Sequence, residues 1–201
     1  MASPSAINEL VPAVIKSTEE LHPEISIEEI GVDSGSVMHT MQKLTADIAL
    51  GRFLETPPRF VKETIAFEEF YVAISEAHPL ARSEVIDLKQ FTDLPLLLWS
   101  REQAPRYYDA LLEICSSRGL APMVLLSPPR IVGSRSYLLR EGKAFALVPR
   151  SAVDSLPSEV KALPIAEAAT LPLDLVYRDQ DPRAAVNDVV ETIRKTAKLL
   201  K

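Results

Sequence analysis

The first fifty residues alternate between helical and strand periodicity, and that alternation limits the fold more than any other feature of the sequence. Ile7, Leu10, Val11, Val14, Ile15 and Leu21 recur at helical spacing and predict an amphipathic helix of about fifteen residues. Ser3-Pro4-Ser5 supplies its serine cap, and Pro12 tightens an early turn. His22-Pro23 closes the helix, and Ile25, Ile27 and Ile30 mark a strand. Val37, Met38, Met41 and Leu44 then predict a second helix, opened by Ser34-Gly35-Ser36, and residues 46–50 a second strand that ends at Gly51-Arg52. Helix, strand, helix, strand is the pattern of a parallel sheet covered by helices.

The remainder continues in the same vein. After the proline-containing connection at residues 55–59, segments 61–67 and 70–74 read as two strands separated by Glu68-Glu69, and a change of lobe is placed there. Residues 94–99 form an apolar run suited to a buried strand. Tyr108, Leu111, Leu112 and Cys115 trace a helix that Gly119 closes as a left-handed cap. Strands are expected at 124–126, 144–148, 160–165 and 173–177, a short helix at Tyr137 and Leu138, and a long final helix along Ala185, Val186, Val189, Val190, Ile193, Ala197 and Leu200. Residues 1–68 with 160–201 are expected as one lobe, and 69–159 as the other.

The same local device recurs: an apolar strand, a polar loop, then a helix N-terminus. It occurs at Ser34–Ser36, at 100–107 and at 134–136, with Ser3–Ser5 a fourth case that lacks the preceding strand. Helix N-terminal amides converging from two lobes would form a site for a small anion, whereas serines that only satisfy their own backbone give the same sequence. Arg52 sets a fixed charge at the carboxyl end of a strand, where open α/β sheets bind ligands.

Composition narrows the function. Across 201 residues the chain is 47% hydrophobic and 25% charged, with a net charge of −6 and no cluster of Lys and Arg, which argues against a nucleic-acid surface. No run reaches membrane-spanning length, no basic amphipathic helix suits a membrane surface, and the first residues lack signal-peptide character, so a cytoplasmic location is expected. Cys115 stands alone and reads as a small buried hydrophobe. His22, His39 and His78 lie far apart, so no metal site is expected, and no cofactor. No serine has a base and an orienting partner, no carboxylate pair stands out and no glycine loop would cradle phosphate, so no catalytic residue is expected.

Several short blocks carry a resemblance: Leu10-Val11-Pro12, His22-Pro23-Glu24-Ile25, Leu44 through Leu50, His78-Pro79-Leu80-Ala81, Arg118-Gly119-Leu120-Ala121-Pro122, and Glu141-Gly142 followed by Val148-Pro149. In this order and spacing the chain resembles the C-terminal effector-binding domain of LysR-type transcriptional regulators. The resemblance implies an α/β, type II periplasmic-binding-protein-like fold: two α/β lobes joined by two crossover strands, with an effector in the cleft between them. It implies an effector-binding and oligomerisation domain that senses a small carboxylate, aromatic or dicarboxylic. Pro105-Arg106-Tyr107 and Arg52 most resemble the aromatic-catabolism regulators that respond to muconate-like acids.

Carried over by position, the implied pocket falls on Ser3, Ser5, Ser34, Ser36, Arg52, Ser100, Pro105, Arg106, Tyr107, Ile131 and Ser134. Serine hydroxyls and helix amides would donate to a carboxylate, and Arg52 or Arg106 would add a charge-assisted pair. Arg106 is equally consistent with a solvated side chain, and Tyr107 with either a ligand cover or a core position. The resemblance also implies homo-oligomers, a dimer of effector domains within a tetramer, and the exposed side of the first helix and residues 25–30 are the expected surface. DNA would be read only through an N-terminal winged helix-turn-helix and linker helix that this chain lacks. A strand is also expected immediately before residue 2, and its absence would leave a gap in the first lobe's sheet. The alternative is a solute-binding protein of a transport system, which shares the fold and which the missing secretory signal disfavours.

Overall fold

The computed structural model describes residues 10–32, 36–43, 46–56, 58–126 and 137–198. In chain order they form α1 (Leu10–Leu21), α2 (Val37–Gln42), β1 (Ile48–Gly51), β2 (Phe60–Ser75), β3 (Leu96–Leu98), α3 (Pro105–Ser116), β4 (Val124–Leu126), α4 (Tyr137–Arg140), β5 (Ala146–Pro149), β6 (Val160–Pro164), β7 (Thr170–Arg178) and α5 (Ala184–Ala197). The chain divides into two compact units, Met1–Glu68 with Pro172–Lys201, and Glu69–Leu171. Strands β2 and β7 each carry the chain from one unit into the other.

In the first unit, α1 and α5 bury their apolar stripes in one cluster. Leu10, Val11 and Val14 of α1 meet Val189, Val190, Ile193 and Ala197 of α5, with Leu50 of β1 and Leu173 and Leu175 of β7 beneath them. Each such side chain contributes about 1.5–3 kcal/mol when fully buried. Val37 and Met41 anchor α2 on Ala49, Leu54 and Val176. β1 pairs antiparallel with β7, from Ile48 opposite Tyr177 to Gly51 opposite Asp174, rather than in the parallel arrangement that the alternation suggests.

Arg183, the N-cap residue of α5, makes no side-chain capping bond, and Asp181 fixes it in place instead. Its Oδ1 accepts from the Arg183 backbone N–H at 3.0 Å, and the Arg183 guanidinium donates to both carboxylate oxygens. The Arg183 side chain beside it holds the Asp181 carboxyl down to about 2, although burial opposes the shift. A fixed anion at this end complements the helix dipole. At the other end Arg194 binds Glu63 at 2.7 and 2.9 Å and the Tyr177 hydroxyl at 2.8 Å, tying α5 to β2 and β7.

Residues 25–30 do not form the expected strand; only Gly31, at the end of this segment, makes a bridge. Ile25 and Ile27 still pack half-buried against the α1–α5 cluster. The alternation therefore reports burial correctly, while strand assignment depends on ladder hydrogen bonds that the alternation does not encode.

In the second unit, the far half of β2 lies between two antiparallel neighbours. β5 pairs from Phe70 opposite Pro149 to Ala73 opposite Ala146, and β6 from Tyr71 opposite Pro164 to Ser75 opposite Val160. β3 and β4 run parallel, and a bridge between Leu96 and Phe145 attaches them beside β5. Leu111, Ile114 and Cys115 form the buried face of α3. Burial pushes the Cys115 thiol up to about 12, so it stays protonated and packs as an apolar group. Gly119, at φ +73°, ends the segment after α3, where a Cβ would meet Lys89 Cε at 2.8 Å.

Two boundaries differ from the sequence reading. Residues 160–171 belong to the second unit rather than the first lobe, because β6 pairs with β2 and the backbone N–H of Phe70 donates to the Ala169 carbonyl at 2.8 Å. The two strands expected on either side of Glu68-Glu69 are one strand of sixteen residues, for a reason that lies in the buried partner of Glu68.

Candidate functional site at the start of helix α3

The sequence-derived pocket residues that the structure brings together lie in the second unit, where the chain leaves β3 and enters α3. Leu96, Leu97 and Leu98 are fully buried, so the strand fixes where the following loop begins. The Ser100 carbonyl accepts from the Gln103 N–H at 3.0 Å and closes a single tight turn over Arg101–Gln103. Ala104 occupies the N-cap position and offers no side-chain acceptor, and Pro105 opens the helix with its locked φ and no N–H. The first turn of α3 is thus uncapped by any side chain of its own.

Charge at this end is positive. Arg106, the second residue of α3, is exposed and makes no ion pair among the described residues. A cation there adds to the positive end of the helix dipole instead of cancelling it. Arg101 is engaged otherwise: its guanidinium grips Asp109 at 2.7 and 2.6 Å, which braces the loop against the helix. That pair raises Arg101 and lowers Asp109 from their ordinary values.

Tyr107 turns inward. It is 8% exposed, with its ring centroid 5.0 Å from that of Trp99 and 6.2 Å from that of Phe70. Of the two roles open to it in sequence, the structure shows the packed one. Trp99 Nε1 and Gln103 Oε1 are buried with no hydrogen-bond partner among the described residues. Neither Trp99 nor Gln103 stood out as a ligand residue in sequence; an aromatic that ends an apolar run and a glutamine in a polar loop carry no distinguishing pattern.

The other described candidates lie in the first unit and differ from expectation. Ser36 has helical backbone angles, φ −94° and ψ −10°, is exposed, and makes no side-chain capping bond; its carbonyl instead accepts from Thr40 Oγ1 at 3.0 Å. A capping serine needs an extended backbone to aim its hydroxyl at the first-turn amides, and α2 has only six residues.

Arg52 is 1% exposed and ion-paired through Nη2 with Glu68, while Nη1 donates to the Pro172 carbonyl at 3.1 Å. The charge expected to face a ligand is engaged inside the unit. Glu68, itself buried, is the residue that sequence reading treats as a strand break. Neutralised by Arg52, it lets β2 continue without a turn. Asp174 makes a second buried carboxylate site, accepting from the Leu54 N–H at 3.1 Å and Thr64 Oγ1 at 2.9 Å. Ser3, Ser5, Ser34, Ile131 and Ser134 lie outside the described residues.

Among the described residues no group of His, Cys, Asp and Glu is arranged to hold a metal ion, and no helix is long and apolar enough to cross a membrane.

The sequence profile of the LysR substrate binding domain matches residues 1–198. The chain belongs to this family. Among relatives, it is 24% identical over 152 residues to the HTH-type transcriptional regulator BudR of Raoultella terrigena, covering 75% of this chain and 52% of BudR. It is 23% identical over 154 residues to the regulator AlsR of Bacillus subtilis, covering 74% of this chain and 49% of AlsR. The chain thus spans about half the length of these relatives.

Among solved structures, the BenM effector binding domain with its effector benzoate superposes with a TM-score of 0.83 at 21% identity, covering 98% of this chain and 90% of that one. The LysR family regulator CbnR superposes with a TM-score of 0.83 at 17% identity, covering 98% of this chain and 68% of that one. The LysR substrate binding domain described here therefore has the mixed α/β, type II periplasmic-binding-protein-like fold, and the relatives that it matches are transcriptional regulators and not enzymes.

Proposed function

We propose that this LysR effector-binding domain senses a small carboxylate, aromatic or dicarboxylic, whose acid group is held at the start of α3. The observation that carries this reading is Arg106, exposed and with no ion pair among the described residues, on the first turn of a twelve-residue helix whose N-cap residue makes no side-chain capping bond. Backbone N–H groups, the helix dipole and a guanidinium there all favour an anion. Ser100 and Pro105 flank Arg106 in this segment, and the buried contacts of Tyr107 with Trp99 and Phe70 hold the first turn of α3 in place. That the BenM domain was solved with benzoate supports an acid of this class.

In the longer regulator, binding biases the geometry of the effector domain, the domain self-associates, with the exposed face of α1 around Leu21 as part of that surface, and DNA is contacted by polypeptide outside this chain. Titrating isotope-labelled protein with benzoate and following backbone amide resonances tests the placement. The largest shifts are expected at residues 99–107; benzoate-dependent shifts that leave this segment unmoved would refute it.

A further inference from the structure

We infer that Arg101 is a positioning residue of this site: by occupying both carboxylate oxygens of Asp109 it keeps the Arg106 guanidinium available to the acid. The inference rests on the reading of the α3 start given above. Arg106 and Asp109 lie three residues apart on α3, and both are exposed. Residues at that spacing are neighbours on a helix surface, and opposite charges there pair. Every Cα–Cβ bond of a helix tilts toward its N-terminus, so the Asp109 side chain leaves its backbone in the direction of the turn that carries Arg106. Arg106 nevertheless makes no ion pair among the described residues.

The carboxylate beside it is already taken. Arg101 Nε donates to Asp109 Oδ1 at 2.7 Å, and Nη2 donates to Oδ2 at 2.6 Å. A guanidinium fork on both oxygens is the strong geometry for such a pair, and it cancels the charge that would draw a second cation. Glu102, next to Arg101 in the turn before the helix, is exposed and makes no ion pair among the described residues. Asp109 thus separates the two arginines: Arg101 is neutralised by it, and Arg106 keeps an open charge. A brace between loop and helix needs both members of the pair, so losing either has the same effect. Covering a competing carboxylate needs only Arg101, so losing Asp109 does no harm.

The test is calorimetric titration with benzoate of the unaltered chain, Asp109→Asn, Arg101→Ala, and Arg101→Ala combined with either Asp109→Asn or Glu102→Gln. Arg101→Ala is expected to bind about 2- to 5-fold more weakly, the size of an exposed ion pair that the ligand must displace. Asp109→Asn alone is expected to bind at least as tightly as the unaltered chain, and Arg101→Ala with Asp109→Asn to regain the unaltered affinity. Arg101→Ala with Glu102→Gln removes a neighbouring negative charge but leaves Asp109 in place, and is expected to stay weak. Equal recovery by the two double variants would assign the effect to net charge and overturn the inference. An Asp109→Asn loss matching that of Arg101→Ala would assign the pair to bracing alone and also overturn it, as would unchanged affinity in Arg101→Ala; in each case the α3 site stands. The altered side chains are all exposed, and thermal melts without ligand check that each variant folds. Absence of binding by both benzoate and succinate to the unaltered chain would overturn the α3 reading and this inference with it.

Discussion

Replacing Arg52 with alanine is expected to cost about 3–5 kcal/mol of folding stability, because it takes the guanidinium counter-charge away from the buried Glu68 carboxylate. Arg52 and Glu68 are almost wholly enclosed, at 1% and 6% exposure, and their pairing joins the end of β1 to the middle of β2. The second bond, from Nη1 to the Pro172 carbonyl, holds the point where β7 enters the first unit. Losing the guanidinium therefore removes a counter-charge and a backbone partner together.

A double substitution, Arg52→Met with Glu68→Leu, removes both charges at similar volume and is expected to recover most of the loss, since apolar replacement of an entire buried pair is often neutral or stabilising. Urea midpoints of the two variants, at constant slope, measure the contrast. A loss below about 1 kcal/mol for Arg52→Ala would match an exposed pair and contradict the enclosure of Glu68.

Arg106→Gln should show the opposite signature. Its side chain is exposed and has no ion pair among the described residues, so stability is expected to stay within about 0.5 kcal/mol or to rise slightly as a cation leaves the positive end of α3. Affinity for benzoate is expected to fall about 10- to 100-fold, the range for losing one hydrogen bond from a charged group. Calorimetric titration beside a urea melt separates the two effects. Two arginines that sequence reading offered as alternative partners for a carboxylate are thus divided by burial: Arg52 braces the fold, and Arg106 faces solvent at the candidate site.

That division marks how far the sequence was legible. The stripes of α1 and α5, the buried face of α3 and the short strands β3 and β5 follow from local period, because a helix or strand shows its buried face in its own residues. The left-handed cap at Gly119 is likewise a local matter of one backbone angle. What escaped depends on distant partners. Glu68 reads as a strand break until Arg52 is placed beside it, and residues 25–30 carry the alternating burial of a strand without forming one.

The crossing point at residues 171 and 172 is similar, since only the pairing of β6 with β2 shows on which side residues 160–171 fall. At the candidate site, the strand–loop–helix device located the start of α3 correctly but could not tell which side chains turn inward. Tyr107 packs, Arg106 is exposed, and the partnerless donor lies on Trp99, one residue before the expected loop.

The central claim is that this LysR domain recognises the charge of a small acid at the start of α3, and one comparison tests it most directly: calorimetric titration of the unaltered chain with benzoate and with benzamide. The two share a ring and differ in the anion. Benzoate is expected to bind at least about 10-fold more tightly, as loss of a charge-assisted hydrogen bond requires; equal affinities, or preference for benzamide, would contradict the claim.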